Sequence, residues 1–77
     1  MSRLTPLSAA RLFKIMKHLG FEIIRQKGSH TFWRHPDGRT TVIPFHKGED
    51  LGRGLMKEIL KDIELSVEDF NELKTKI

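Results

Sequence analysis

A chain of 77 residues makes one domain with a narrow stability margin, because a chain this short buries only about 60–65% of its unfolded surface. It has no cysteine, which excludes a disulfide framework and a thiolate zinc site, and no apolar run of about 18 residues to span a membrane. The net charge is +4 and unevenly placed: positions 1–47 carry nine Lys/Arg against two acids, positions 48–77 five against eight.

Such a basic pole fits a phosphate-rich partner; the plainer reading is a solvated basic surface. The opening Met1-Ser2-Arg3-Leu4-Thr5-Pro6 lacks the apolar core of a signal peptide, so a cytoplasmic location is expected.

The first helix is predicted over 8–19. Ser8 is its N-cap. Ala9, Leu12, Phe13, Met16 and Leu19 make an apolar stripe, with Arg11, Lys14, Lys17 and His18 mostly on the other side. Gly20 supplies the left-handed residue that stops it. Residues 21–27 read as a strand in which Phe21, Ile23, Arg25 and Lys27 share one parity and Glu22, Ile24 and Gln26 the other. Neither face is purely apolar, so one side is expected to be solvated near its end.

Gly28-Ser29 then makes a turn, and a second strand runs over 30–35. Pro36-Asp37-Gly38-Arg39 is a further turn signal, and Thr40 to Ile43 is a third strand, closed by Pro44. Three consecutive strands with short turns predict an antiparallel meander. Residues 45–52 read as a loop, and 53–63 as a second helix with Leu55, Met56, Ile59, Leu60 and Ile63 on its apolar face. Gly52 and Gly54 weaken its start. Ser66 caps a third, acidic helix over 66–76, anchored by Phe70 and Leu73 and expected to fray in its last turn. The prediction is one α+β, two-layer domain: a three-stranded antiparallel sheet with helices on one face, the other face open, and a short C-terminal helix appended to a core of about 8–65.

Four histidines are candidates for chemistry. His30 and His35 differ by an odd number on one strand and project to opposite faces. There is no HExxH pattern and no paired carboxylate cluster near a histidine, so no metal and no cofactor is called for. His18 is expected to be structural or solvated, and His35 exposed in its turn. His46, beside Lys47, is a secondary candidate for the face that carries His30. No nucleophile elbow, Walker pattern or GxGxxG is present, and Ser29 and His30, as strand neighbours, point opposite ways.

A histidine among basic residues serves general acid/base chemistry near neutral pH. RNA brings its own nucleophile, the 2′-OH, so base catalysis plus nearby cations suffices for cleavage. Arg25, Lys27, Arg34, Arg39 and Lys47 are the candidate phosphate contacts. On the residues alone a non-catalytic double-stranded RNA-binding module, with His30 an ordinary turn residue, stands beside the ribonuclease reading. A protein-interaction module that docks an acidic partner is the third possibility.

The set Leu19-Gly20-Phe21, Gln26-Lys27-Gly28-Ser29-His30, His35-Pro36-Asp37-Gly38-Arg39, Val42-Ile43-Pro44-Phe45-His46 and the later 55–60 helix resembles, in order and spacing, the HicA toxin family. These are the YcfA-like mRNA interferases of HicBA toxin–antitoxin systems. The likeness runs from about Ser8 to Phe70. It implies a fold like the double-stranded RNA-binding domain, α-β-β-β-α, and a ribosome-independent endoribonuclease acting on mRNA. It also implies a cognate HicB antitoxin that covers the site. The family's catalytic histidine, in a Gly-x-His motif, falls on His30, with Gly28 and Ser29 as its support. Gly52-Arg53-Gly54-Leu55 departs from the family's usual start of the second helix.

Overall fold

The computed structural model describes residues 3–77; Met1 and Ser2 of the opening segment lie outside the described residues. Helix α1 (Ala9–His18) begins where the Ser8 hydroxyl accepts from the Arg11 N–H at 3.2 Å. The hydroxyl thereby satisfies one of the free donors of the first turn. The helix ends in a Schellman motif. The Gly20 N–H donates to the Lys17 carbonyl (3.1 Å) and the Phe21 N–H to the Met16 carbonyl (3.0 Å). That geometry needs a left-handed residue, and Gly20 has φ +95°.

Strands β2 (Glu22–Lys27), β3 (His30–Arg34) and β4 (Thr40–Pro44) form the antiparallel meander, in the order β2-β3-β4. On β3 and β4 the alternation is clean. Thr31, Trp33, Thr41 and Ile43 are buried beneath the helices, while His30, Phe32, Arg34, Thr40 and Val42 point the other way. The inner face is held by a short relay. The Trp33 indole N–H donates to the Thr31 hydroxyl (2.9 Å), which donates to the Ile43 carbonyl (2.6 Å). Both polar groups are thus paired in an apolar surround, where an unpaired one costs about 1–3 kcal/mol.

Strand β2 departs from the simple parity. Ile23 pairs with Trp33, but Arg25 pairs with Phe32, so Ile24 is an extra residue in a β-bulge. Ile23 and Arg25 therefore fall on opposite faces, although they are two positions apart. The whole strand is exposed, not just its end. It is an edge strand, and its bulge and charged side chains are the devices that discourage edge-to-edge pairing.

Residues 45–52 are not all loop. Asp50–Leu51 forms β5, which pairs antiparallel with β1 (Leu7–Ser8). This two-residue ladder ties the entrance of α1 to that of helix α2 (Arg53–Asp62). Gly52 caps α2 without a side-chain bond, and the Met56 N–H to Gly52 carbonyl bond (2.9 Å) starts it all the same. Leu12, Ile15 and Met16 of α1, Met56, Ile59 and Leu60 of α2, and Trp33 and Ile43 of the sheet share one core, with Ile63 beside them.

Helix α3 (Val67–Lys76) is capped by Ser66, whose hydroxyl accepts from the Asp69 N–H at 3.1 Å. It contributes the fully buried Phe70 to that core. Its last turn, expected to fray, is tied to the body of the domain. The Arg11 guanidinium donates to the carbonyls of Lys74 (2.7 Å) and Ile77 (3.0 Å), and Lys74 Nζ reaches the Thr5 hydroxyl at 2.9 Å. A cation on another helix satisfies the carbonyls that a helix end leaves open.

Candidate functional site: an open basic sheet face

Gly28-Ser29 is a two-residue hairpin loop with glycine first, at φ +59°, as a Gly-X hairpin turn requires. Nothing lies within 4 Å of where a Cβ on Gly28 would sit, so the demand is for backbone conformation and not for space. The turn makes Lys27 and His30 directly opposed partners in the ladder. On its other side His30 is opposed to Pro44. The Phe45 N–H donates to the Ser29 carbonyl at 2.6 Å and continues the pairing past the last ladder position. His30 thus stands on backbone fixed from both sides. Its imidazole is exposed and, among the described residues, makes no hydrogen bond or ion pair. Both ring nitrogens are open to a ligand.

The outer face gathers Arg25, Lys27, His30, Phe32 and Arg34. Paired residues share a face, and β3 alternates regularly. The bulge brings Arg25 there; without it Arg25 would follow Ile23 inward. The Arg25 guanidinium lies over the Phe32 ring, 5.5 Å from its centroid. Arg34, at the far end of β3 and opposed to Glu22, is about 13 Å along the strand from His30.

Arg39 is not brought to His30. It donates to both carboxylate oxygens of Asp37 (3.1 and 2.8 Å) and to the Ile63 carbonyl, and its guanidinium lies 5.1 Å from the Phe21 ring centroid. These contacts lock the β3–β4 turn against the end of α2. The Arg39 backbone N–H, donating to Asp37, holds that carboxyl below the usual carboxylate range. Partial burial opposes the shift, and the Arg39 side chain and His35 add to it. His46 and Lys47 are exposed in the loop after β4, beside Ser8, Ala9 and Ala10 at the entrance of α1.

His35 is half-buried, contrary to the expectation of an exposed turn residue. Its ring packs on Phe21 with centroids 5.0 Å apart, and its Nδ1 accepts from the Asp37 N–H at 3.1 Å. A Cβ on Gly20 would come within 3.1 Å of its Nε2. It is a packing residue of the helix-to-strand corner. Among the described residues no group of three or more His, Asp or Glu side chains is placed to hold a metal ion. No helix among them is long and apolar enough to cross a membrane.

Sequence reasoning passed over Phe32 and Ile24 as site residues. The aromatic at an outward position of β3 is a signal that parity alone carries. The bulge that sets Arg25 beside Ile24 on the outer face shows only in the register.

A family model described as the HicA toxin of bacterial toxin–antitoxin systems matches residues 9–65. That span runs from the first residue of α1 to the link before α3 and includes the hairpin and the whole basic face. No curated protein matches the chain.

Proposed function

The chain belongs to the HicA toxin family, and from that premise we propose that this toxin is a ribosome-independent endoribonuclease that cleaves mRNA, with His30 as its general acid/base. The observation that carries the reading is the setting of His30. It is an exposed, unengaged imidazole at the mouth of a fixed hairpin, opposed to Lys27 and on one face with Arg25.

His30 takes the proton of a ribose 2′-OH. The freed oxygen attacks the adjacent phosphorus, and the bond from phosphorus to the 5′-oxygen breaks. The leaving oxygen takes a proton from solvent. The ends are a 2′,3′-cyclic phosphate and a 5′-OH. Lys27 and Arg25 offset the charge that grows on the phosphate oxygens, and no step calls for a metal. Arg34 and Lys47 extend the basic surface along the RNA. His46, two residues past the Pro44 that opposes His30, is the secondary candidate for proton transfer. Gly28 and Ser29 shape the turn.

The partner that membership implies is an antitoxin. We assign it to a HicB-type protein that covers His30 and the basic face, in a cytoplasmic type II system. Growth arrest on expression of the toxin, relieved by co-expression of the antitoxin, is the expected outcome in cells.

The decisive experiment compares wild type and His30→Ala on end-labelled RNA in EDTA. Cleavage by wild type and none by the variant is expected. Equal cleavage by both sinks the role of His30. Binding without cleavage by either turns the reading to a non-catalytic double-stranded RNA-binding module. Loss of wild-type activity in EDTA alone establishes a metal requirement.

A further inference from the structure

The outer sheet face is chemically lopsided. Its β2 side carries Arg25 and Lys27, with Arg34 on β3. On this face Ile24, Phe32 and Val42 form an apolar floor, which borders a cavity of about 530 Å³ that also takes in Trp33, Thr41 and α2 residues of the opposite, helix-covered face. The floor is exposed for apolar residues, with Ile24 47% and Val42 38% accessible.

We propose that this floor seats an unstacked base of single-stranded RNA on the Phe32 ring, with the strand's phosphates over Arg25, Lys27 and Arg34. The proposal rests on the ribonuclease reading and adds the form of the substrate. Two observations carry it. First, Phe32 lies on the same face as His30 and two residues along β3, about 7 Å away, so a base on the ring brings an adjoining ribose within reach of the imidazole. Second, Arg25 lies against the Phe32 ring, which places a cation for the phosphate beside the surface for the base. Aromatic stacking with basic residues alongside is how single strands are held. An A-form duplex keeps its bases stacked inside and has nothing to lay on an apolar floor.

The test measures fluorescence anisotropy of a labelled 12-nucleotide RNA, on the order of one binding site, in the His30→Ala background so that no cleavage intervenes. Phe32→Leu keeps an apolar side chain at that position, and its thermal midpoint confirms that the fold is retained. It is expected to bind the single strand about 10-fold or more weakly, the equivalent of one lost stack. Phe32→Trp is expected to hold it as tightly as Phe. The same RNA annealed to its complement is expected to bind more weakly than the single strand. A 2-aminopurine in the RNA is expected to be quenched on binding with Phe32 and not with Leu.

Equal binding by Phe32→Leu, or a preference for the duplex, overturns the platform and leaves the apolar floor to a protein partner. Loss of binding on Phe32→Leu while the wild-type residue at His30 cleaves nothing supports the platform and overturns the ribonuclease reading. No binding of RNA by any variant overturns both.

Discussion

Lys27 and His30 close the β2–β3 hairpin as directly opposed residues, and their side chains leave the sheet on the same outer face. The pairing sets an ammonium beside the imidazole without engaging it, since His30 has no hydrogen-bond partner among the described residues. On the ribonuclease proposal, a cation so placed acts on the phosphate and not on the fold. Lys27→Ala is expected to lower cleavage by about 10-fold, the equivalent of roughly 1.4 kcal/mol of transition-state stabilisation, with the thermal midpoint little changed. Each phosphate contact to a single strand contributes about 0.7 to the salt slope of binding. Titrating RNA binding against salt therefore checks the assignment independently: the slope should fall by about that amount in the variant. An unchanged slope would place Lys27 away from the phosphates.

Gly28 tests whether the turn matters for more than stability. Its φ of +59° is costly for any residue with a Cβ, and there is open space around it. Gly28→Ala should therefore cost about 1–2 kcal/mol through the backbone alone, or a fall of roughly 4–16 °C in thermal midpoint for a domain of this size. Gly54→Ala, in the first turns of α2 with nothing near its Cβ, is expected to be neutral or stabilising by up to about 0.5–1 kcal/mol. If His30 depends on the hairpin for its position, Gly28→Ala loses activity at temperatures where it is still folded, and Gly54→Ala does not. Activity of Gly28→Ala that simply tracks its folded fraction would show that the turn only holds the sheet together.

The features legible in the sequence are those set by neighbours in the chain. Ser8, Gly20 and Ser66 cap or end helices through contacts within a few positions, and the alternation of β3 and β4 follows from Thr31, Trp33, Thr41 and Ile43. The features that were not legible join residues far apart. The bulge at Ile24 answers to the register against β3, which no local pattern in Phe21 to Lys27 encodes. The β1–β5 ladder pairs residues more than 40 positions apart. Arg39 reads as one more cation of the basic half until Asp37, Phe21 and the Ile63 carbonyl are seen around it. For the same reason the basic face is smaller than the charge count suggests.

Arg11 is another cation with a structural role. It sits on the exposed side of α1 and bonds to the carbonyls of Lys74 and Ile77, which closes the end of α3. Arg11→Ala leaves those carbonyls to water, so the loss is modest, about 1 kcal/mol. It should be local. Amide exchange in the last turn of α3 is expected to rise, with the exchange of β3 and β4 unchanged. Cleavage of RNA should not move, because α3 lies outside the basic face. A uniform rise in exchange across the molecule would instead make Arg11 part of the global fold.

Asp37 gives the chain an acid-sensitive turn. Its carboxyl is held below the ordinary value of 3.8, first by the Arg39 backbone N–H and then by the Arg39 side chain and His35. A group whose folded-state pKa is lowered binds a proton more readily when unfolded, so its contribution to stability is complete above the unfolded value. It fades as pH falls through the folded one. The window lies below pH 3.8. The ion pair is half-exposed, so its effect is small and weakened by salt. Asp37→Asn is therefore expected to have a lower thermal midpoint than wild type at pH 7, with the gap closing in strong acid. The physical reason is that both chains then carry a neutral side chain beside Arg39. Because Arg39 also holds the Ile63 carbonyl, Arg39→Ala should have a lower midpoint at both pH values. Melting curves for the three proteins at pH 7 and pH 2.5, in low salt, separate the two contributions. A gap between wild type and Asp37→Asn that persists at the lower pH would mean that the carboxylate's charge is not what holds the turn.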